Sequence, residues 1–123
     1  MKLKRLKGEK RIVALFEQKG VKTLQSEKLL IVRYFSSEGT AGDMGRLYAG
    51  ISVSKRKFSK AVDRNRIKRQ IRAALKENTI ESKTSKCNIH SMWVYKSHLF
   101  PEYETLKKEC AQILSRIEMD PPN

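Results

Sequence analysis

The 123-residue sequence predicts a single α/β domain, an α+β sandwich with helices laid on a small sheet. Two observations carry this. Apolar residues recur at helical spacing in three segments and at strand spacing in others, and the two kinds alternate along the chain. At 14.2 kDa the chain has room for one good core and not for two.

The first helix is expected over about 9–19, where Ile12, Val13, Leu15 and Phe16 form an apolar stripe and Gly20 supplies the stop. Val21–Leu24 carries a weaker strand signal. Lys28–Phe35 is rich in β-formers and reads as a strand. Ser36–Gly45 holds three glycines in ten residues and reads as a turn or mobile loop. In Leu47–Ser54, Leu47, Ala49, Ile51 and Val53 share one face of a strand. Tyr48, Gly50, Ser52 and Ser54 share the other, a small polar face that is either plain solvent surface or room for an extended ligand. A helix follows from Ser59 or Lys60, with Ser59 as candidate N-cap, to about Lys76. Its buried stripe is Ile67, Ile71, Ala74 and Leu75, opposite Asn65, Arg66, Lys68, Arg69 and Arg72. Glu77–Lys86 is expected to be a loop and Ile89–Tyr95 a strand. Pro101 opens the last helix, whose stripe is Leu106, Cys110, Ile113, Leu114 and Ile117. The domain is expected to span 1–119, with 120–123 a disordered tail containing Pro121 and Pro122.

Charge is the functional signal. Lys and Arg total 27 against 13 acids, a net +14. Residues 55–72 hold nine bases and only Asp63, so more than half of the net charge sits in 18 residues. A field gathered on one element suits docking of a polyanion, nucleic acid first. Lys supplies a mobile point charge for phosphate, and Arg supplies a planar fork. Asn65 can read a base edge or a sugar.

Other chemistry is missing. There is no Gly-rich loop ending in Gly-Lys-Ser/Thr. His90 and His98 lack zinc-site spacing, and no carboxylate cluster suited to a two-metal nuclease stands out. Cys110 reads as a core residue, and Cys87 has no His partner at a catalytic spacing. Trp93, Tyr95 and Phe100 read as core and edge packing. The protein is therefore expected to carry no catalytic residue and no metal ligand. No apolar run reaches membrane-spanning length and no secretory signal is visible; with only two cysteines, a reduced cytoplasm is the expected setting.

Val53-Ser54-Lys55-Arg56, followed by Ala61-Val62-Asp63-Arg64-Asn65-Arg66-Ile67-Lys68-Arg69-Gln70-Ile71-Arg72, closely resembles the bacterial ribonuclease P protein subunit. Arg64-Asn65-Arg66 matches that family's RNR motif. Weaker likeness extends over Arg5-Leu6 with Leu15-Phe16 (the family's opening helix), Gly50–Val53 and Met92–Lys96. Ile12 stands where the family often has Phe, and Tyr48 where it often has Arg.

Read in order, the segments give α-β-β-α-β-α, or α-β-β-β-α-β-α when the weaker strand near 21–24 is counted. The resemblance implies a small mixed four-stranded sheet and a left-handed β-α-β crossover, as in ribosomal protein S5 domain 2-like folds. It implies a non-catalytic subunit of an endonuclease holoenzyme. A catalytic RNA, using its own Mg²⁺, removes the 5′ leader from precursor tRNA. By resemblance, Lys55, Arg56, Lys57, Lys60, Arg64, Asn65, Arg66, Lys68, Arg69 and Arg72 dock the RNA subunit. Phe16, Tyr34, Tyr48, Ser52 and Lys96 are the candidate walls of a cleft for the leader. No membrane or small-molecule partner is expected. The competing reading is a small basic ribosomal or RNA-assembly protein with no part in cleavage.

Overall fold

The computed structural model describes residues 2–5, 21–39, 42, 45–81 and 87–119. The helix expected over 9–19, and Phe16 with it, lies outside these residues, as does the 120–123 tail. Strands β1 (Lys2–Arg5), β2 (Lys22–Gln25), β3 (Leu30–Glu38), β4 (Arg46–Val53) and β5 (Cys87–Tyr95) join into one mixed sheet, ordered β1-β4-β5-β3-β2. Helix α1 (Ala61–Glu81) links the neighbouring parallel strands β4 and β5, and α2 (Tyr103–Met119) closes the described chain.

The sheet has five strands where four were expected. The additional one is β1, which runs parallel to β4 with Leu3 opposite Leu47. Three of its four residues are basic, so neither propensity nor alternation marks it; pairing and the packing of Leu3 against the core hold it. Arg5 accordingly lies in a strand that precedes the expected opening helix.

Long antiparallel pairing from Leu30↔Tyr95 to Glu38↔Cys87 forms the centre of the sheet. Period-2 alternation then sorts the faces. Leu30, Val32, Tyr34, Leu47, Ala49, Val53, Ile89, Trp93 and Tyr95 point to one side. Ile67, Ile71, Ala74 and Leu75 of α1 meet them there, with Leu106, Cys110, Ile113, Leu114 and Ile117 of α2. Both helices therefore cover one face, and their predicted stripes are the buried ones. Burial pushes the Cys110 thiol up to about 12, so it stays protonated and acts as a small apolar side chain. Trp93 and Ser91 pair their polar groups within this core. The Trp93 indole donates to Ser91 Oγ at 2.9 Å, and Ser91 donates to the Tyr48 carbonyl at 2.8 Å.

Two boundaries move for identifiable reasons. Helix α1 runs five residues past Lys76, because its polar end packs on α2. Asn78 Nδ2 donates to the carbonyls of Ala74 (2.8 Å) and Lys107 (3.1 Å), and Thr79 is buried. Strand β3 reaches Glu38 through Ser36 and Ser37, which keep partners on β5. Gly42 and Gly45 then adopt φ of 86° and 67°, the left-handed region in which glycine is unstrained.

Candidate nucleic-acid interface

Strand β4 delivers the chain to a tight basic loop. Ser54 shapes it: its carbonyl accepts from Phe58 N at 3.0 Å, and its hydroxyl from Arg56 N at 3.1 Å. Phe58 anchors the loop in the core, packed against Tyr95 with ring centroids 6.0 Å apart. Lys55, Arg56 and Lys60 are exposed around that anchor. On α1, Asn65, Arg66 and Arg69 are exposed, and Lys68 and Arg72 are half-buried. The helix thus gives one stripe to the core and offers a basic surface to solvent, continuous with the loop. Asp63 in its first turn suits the positive end of the helix dipole. Arg72 turns toward β1, where it lines a cavity of about 140 Å³ with Lys4 and Arg5 over Ala49, Ile51 and Leu75.

Two of the ten proposed docking residues have structural duties. Arg64 is half-buried, and its Nη1 donates to the carbonyls of Phe58 (2.9 Å) and Ser59 (2.8 Å). The Ser59 carbonyl also helps to fix the loop, and the Lys60 carbonyl accepts from Arg64 N at 3.2 Å, so Lys60 instead of Ser59 holds the N-cap position and α1 begins at Ala61. Lys57 is half-buried, with its ammonium donating to the Lys96 carbonyl.

The sheet face turned away from α1 and α2 is the second surface. Its residues fall in rows set by the register. Tyr48, His90 and Phe35 are neighbours across β4, β5 and β3; Gly50, Met92 and Arg33 follow, then Ser52, Val94 and Ile31. In the first row the rings stack: His90 lies 4.7 Å from Phe35 and 5.0 Å from Tyr48, with interplanar angles of 13° and 7°. His90 Nε2 is 3.1 Å from Ser37 Oγ. Gly50 and exposed Ser52 leave the β4 side of this face low. Stacked rings thus lie at one end of this face, with Tyr48 buried among them and Lys4 of β1 as its register neighbour.

The described residues include no group of three His, Cys, Asp or Glu placed to hold a metal ion, so they form no Mg²⁺ cage. No described helix is long and apolar enough to cross a membrane.

The family model for ribonuclease P matches residues 1–118. The chain belongs to the ribonuclease P protein family. No curated protein matches the sequence. Among solved structures, the ribonuclease P protein of Staphylococcus aureus is similar at a TM-score of 0.67 and 19% identity, covering 93% of this chain and 94% of that one. The ribonuclease P protein of Thermotoga maritima is similar at 0.68 and 21%, covering 92% and 96%. At such identities the likeness establishes the shared fold. Family membership makes the chain a component of the ribonuclease P ribonucleoprotein, in tRNA processing, and implies association with ribonuclease P RNA.

Within that family reading, the cleft candidates separate. Tyr48 and Ser52 lie on the sheet face turned away from α1 and α2, where Ser52 is exposed but Tyr48 is buried at 7% exposure against Phe35 and Met92. Tyr34 does not: it is 1% exposed in the core, because the parity of β3 sends it inward and its neighbour Phe35 outward. Lys96 lies beyond the end of β5, and its ammonium donates to the Ser26 carbonyl at 2.8 Å and approaches Gln25 Oε1 at 3.4 Å. Its charge braces the β2–β3 turn. Phe35, His90 and Arg33 are the residues of this face that the sequence reading passed over. Register with β5 places Phe35 opposite His90 and Arg33 opposite Met92, a phase that the apolar run of β3 does not mark by itself.

Arg64 gives a direct check on the loop. Arg64→Ala removes both carbonyl contacts, and the expected loss is about 1 kcal/mol, scaled down from a buried charged hydrogen bond because the site is partly exposed. Arg69→Ala, on the open face, should stay within about 0.5 kcal/mol of wild type. Equal denaturant midpoints for the two variants would show that the Arg64 contacts do not stabilise the loop.

Proposed function

We propose that the chain is the RNA-docking and substrate-discriminating subunit of ribonuclease P. The basic loop over 55–60 and the solvent face of α1 bind the catalytic RNA. The sheet face turned away from α1 and α2, with Ser52 exposed on it and Tyr48 beneath, receives the single-stranded 5′ leader of precursor tRNA. The RNA, with its Mg²⁺, hydrolyses the phosphodiester and leaves the mature tRNA 5′ end, in the cytoplasm. In this reading the β4–α1–β5 unit carries the left-handed crossover that the family resemblance implies.

The observation that carries the reading is the division of α1. Its core stripe is fully buried, while Arg66 and Arg69 stay in solvent beside the exposed bases of the loop. Cations gathered this way lower the repulsion between two polyanions, so the complex should form with less Mg²⁺. A cleft that holds the leader favours precursor over product and so helps release.

The test is reconstitution. Purified chain, a bacterial ribonuclease P RNA and 5′-labelled precursor tRNA are combined at low Mg²⁺, with each component alone as control. Cleavage at the mature 5′ end only when both subunits are present is the expected result. Tight RNA binding with no gain in cleavage, repeated with the cognate RNA, would favour an RNA-assembly module. Cleavage by the protein alone would overturn the reading.

A further inference from the structure

Among the described residues, the large apolar side chains left exposed are Val62 (74%), Leu99 (75%) and Phe100 (49%). They fall in one region. The Phe100 ring packs on Phe58, the anchor of the basic loop, at 5.2 Å. The Arg66 guanidinium lies over the same ring at 5.6 Å. Val62 is one turn before Arg66 on the same side of α1, and Leu99 adjoins Phe100 in the chain. None of the three belongs to the core cluster, so the fold does not account for their exposure.

We propose that Phe100, with Arg66 over its ring, is a stacking site for one unpaired base of the RNA that α1 binds; this rests on the RNA-docking reading above. The charge around the patch selects the occupant. Nine bases and one acid lie in residues 55–72, so the apolar step sits inside the strongest cationic field of the chain. A second copy would bring the same field and be repelled. A nucleic acid brings phosphates for Lys60, Arg66 and Arg69 together with planar bases. Base faces stack on aromatic rings and on guanidinium planes with little regard to sequence. A fully paired helix hides those faces, so the target is a bulged or single-stranded nucleotide next to a paired segment.

The experiment compares binding of labelled ribonuclease P RNA to wild type, Phe100→Leu, Phe100→Trp and Arg69→Ala over a range of KCl. Leu keeps the packing on Phe58 and loses the stack. Phe100→Leu should bind about tenfold more weakly with an unchanged log–log salt slope. Arg69→Ala should also bind more weakly, with its slope reduced by about one. Phe100→Trp should bind like wild type, with its own emission changing on RNA binding relative to the buried Trp93 background. If Phe100→Leu binds as wild type while Arg69→Ala is weakened, the stacking site is wrong and RNA docking stands. If neither changes binding, the docking reading fails as well. A Phe100→Trp emission unaffected by saturating RNA would overturn the site independently of any loss of stability. Wild-type self-association, seen by sedimentation and abolished in Phe100→Leu with RNA binding intact, would assign the patch to a second copy and overturn the proposal.

Discussion

Replacing Arg66 and Arg69 together by Ala should weaken binding to ribonuclease P RNA roughly a hundredfold at low salt, if each removes a charge-assisted contact of about 1.4 kcal/mol. Both side chains are exposed on α1, opposite Ile67, Ile71, Ala74 and Leu75, which fill the core. Their loss should therefore leave the unfolding midpoint almost unchanged. Arg66 does contact Phe100, but an exposed cation–π pair contributes only about 0.5–1 kcal/mol. The salt dependence is the sharper readout. Each phosphate contact displaces counterions, so the log–log slope of affinity against salt should become shallower by about 1.5 to 2. The variant and wild type should converge as salt rises. A double mutant that binds normally would place the RNA on another surface. One that unfolds would show that these residues stabilise the fold.

That prediction rests on the part of the molecule most legible in the sequence. The stripes of α1 and α2 repeat every three or four residues, and each predicted member is buried to 4% exposure or less. The alternation of β4 held for Leu47, Ala49 and Val53 inside and Ser52 out, but Tyr48 on the opposite face is also buried, under Phe35 and Met92. Where local pattern was silent or ambiguous, long-range pairing decided. β1 depends on a parallel partner more than forty residues away. In β3 the run Leu29–Phe35 is almost continuously apolar, so its phase cannot be read locally. Register with β5 sets it, aligning Tyr34 with buried Ser91 and Phe35 with His90. The duties of Arg64, Lys57 and Lys96 were also hidden, since their partners are main-chain carbonyls that no sequence pattern reports. Charge count locates the basic face, but it does not separate bases that meet solvent from bases that hold the loop in shape.

One acid on the far helix supports that shape. Glu109 of α2 is 4% exposed, and its Oε1 accepts from the main-chain N–H of Leu29 at 2.9 Å and of Lys28 at 3.0 Å. The turn it holds also bonds Lys96: Ser26 accepts from the ammonium, and Leu29 accepts from Lys96 N at 2.8 Å. Lys96 in turn accepts from Lys57 of the basic loop. Burial alone would raise the Glu109 pKa. Hydrogen bonds from Ser26, Lys28 and Leu29, with the Lys96 charge nearby, outweigh it and hold the carboxyl below its ordinary value of 4.5. Glu109→Ala strands the buried Leu29 N–H and removes the acceptor of the part-buried Lys28 N–H, and the expected cost is about 3 kcal/mol, the larger of the stability effects predicted for this chain. Glu109→Gln keeps an acceptor and should cost less. The pH dependence follows from the depressed pKa. The extra stability of the charged form is fully present above the unfolded-state value and is lost as pH falls through the lower folded-state value. The wild-type advantage over Glu109→Gln should therefore be constant near neutrality and shrink below about pH 4.5. Urea unfolding of both proteins from pH 7 to pH 3 measures it. A gap that does not narrow in acid would mean that Glu109 acts only as a neutral acceptor. If Glu109→Ala retains wild-type stability, α2 does not secure the β2–β3 turn, and the basic loop depends on its own contacts to Ser54, Phe58 and Arg64.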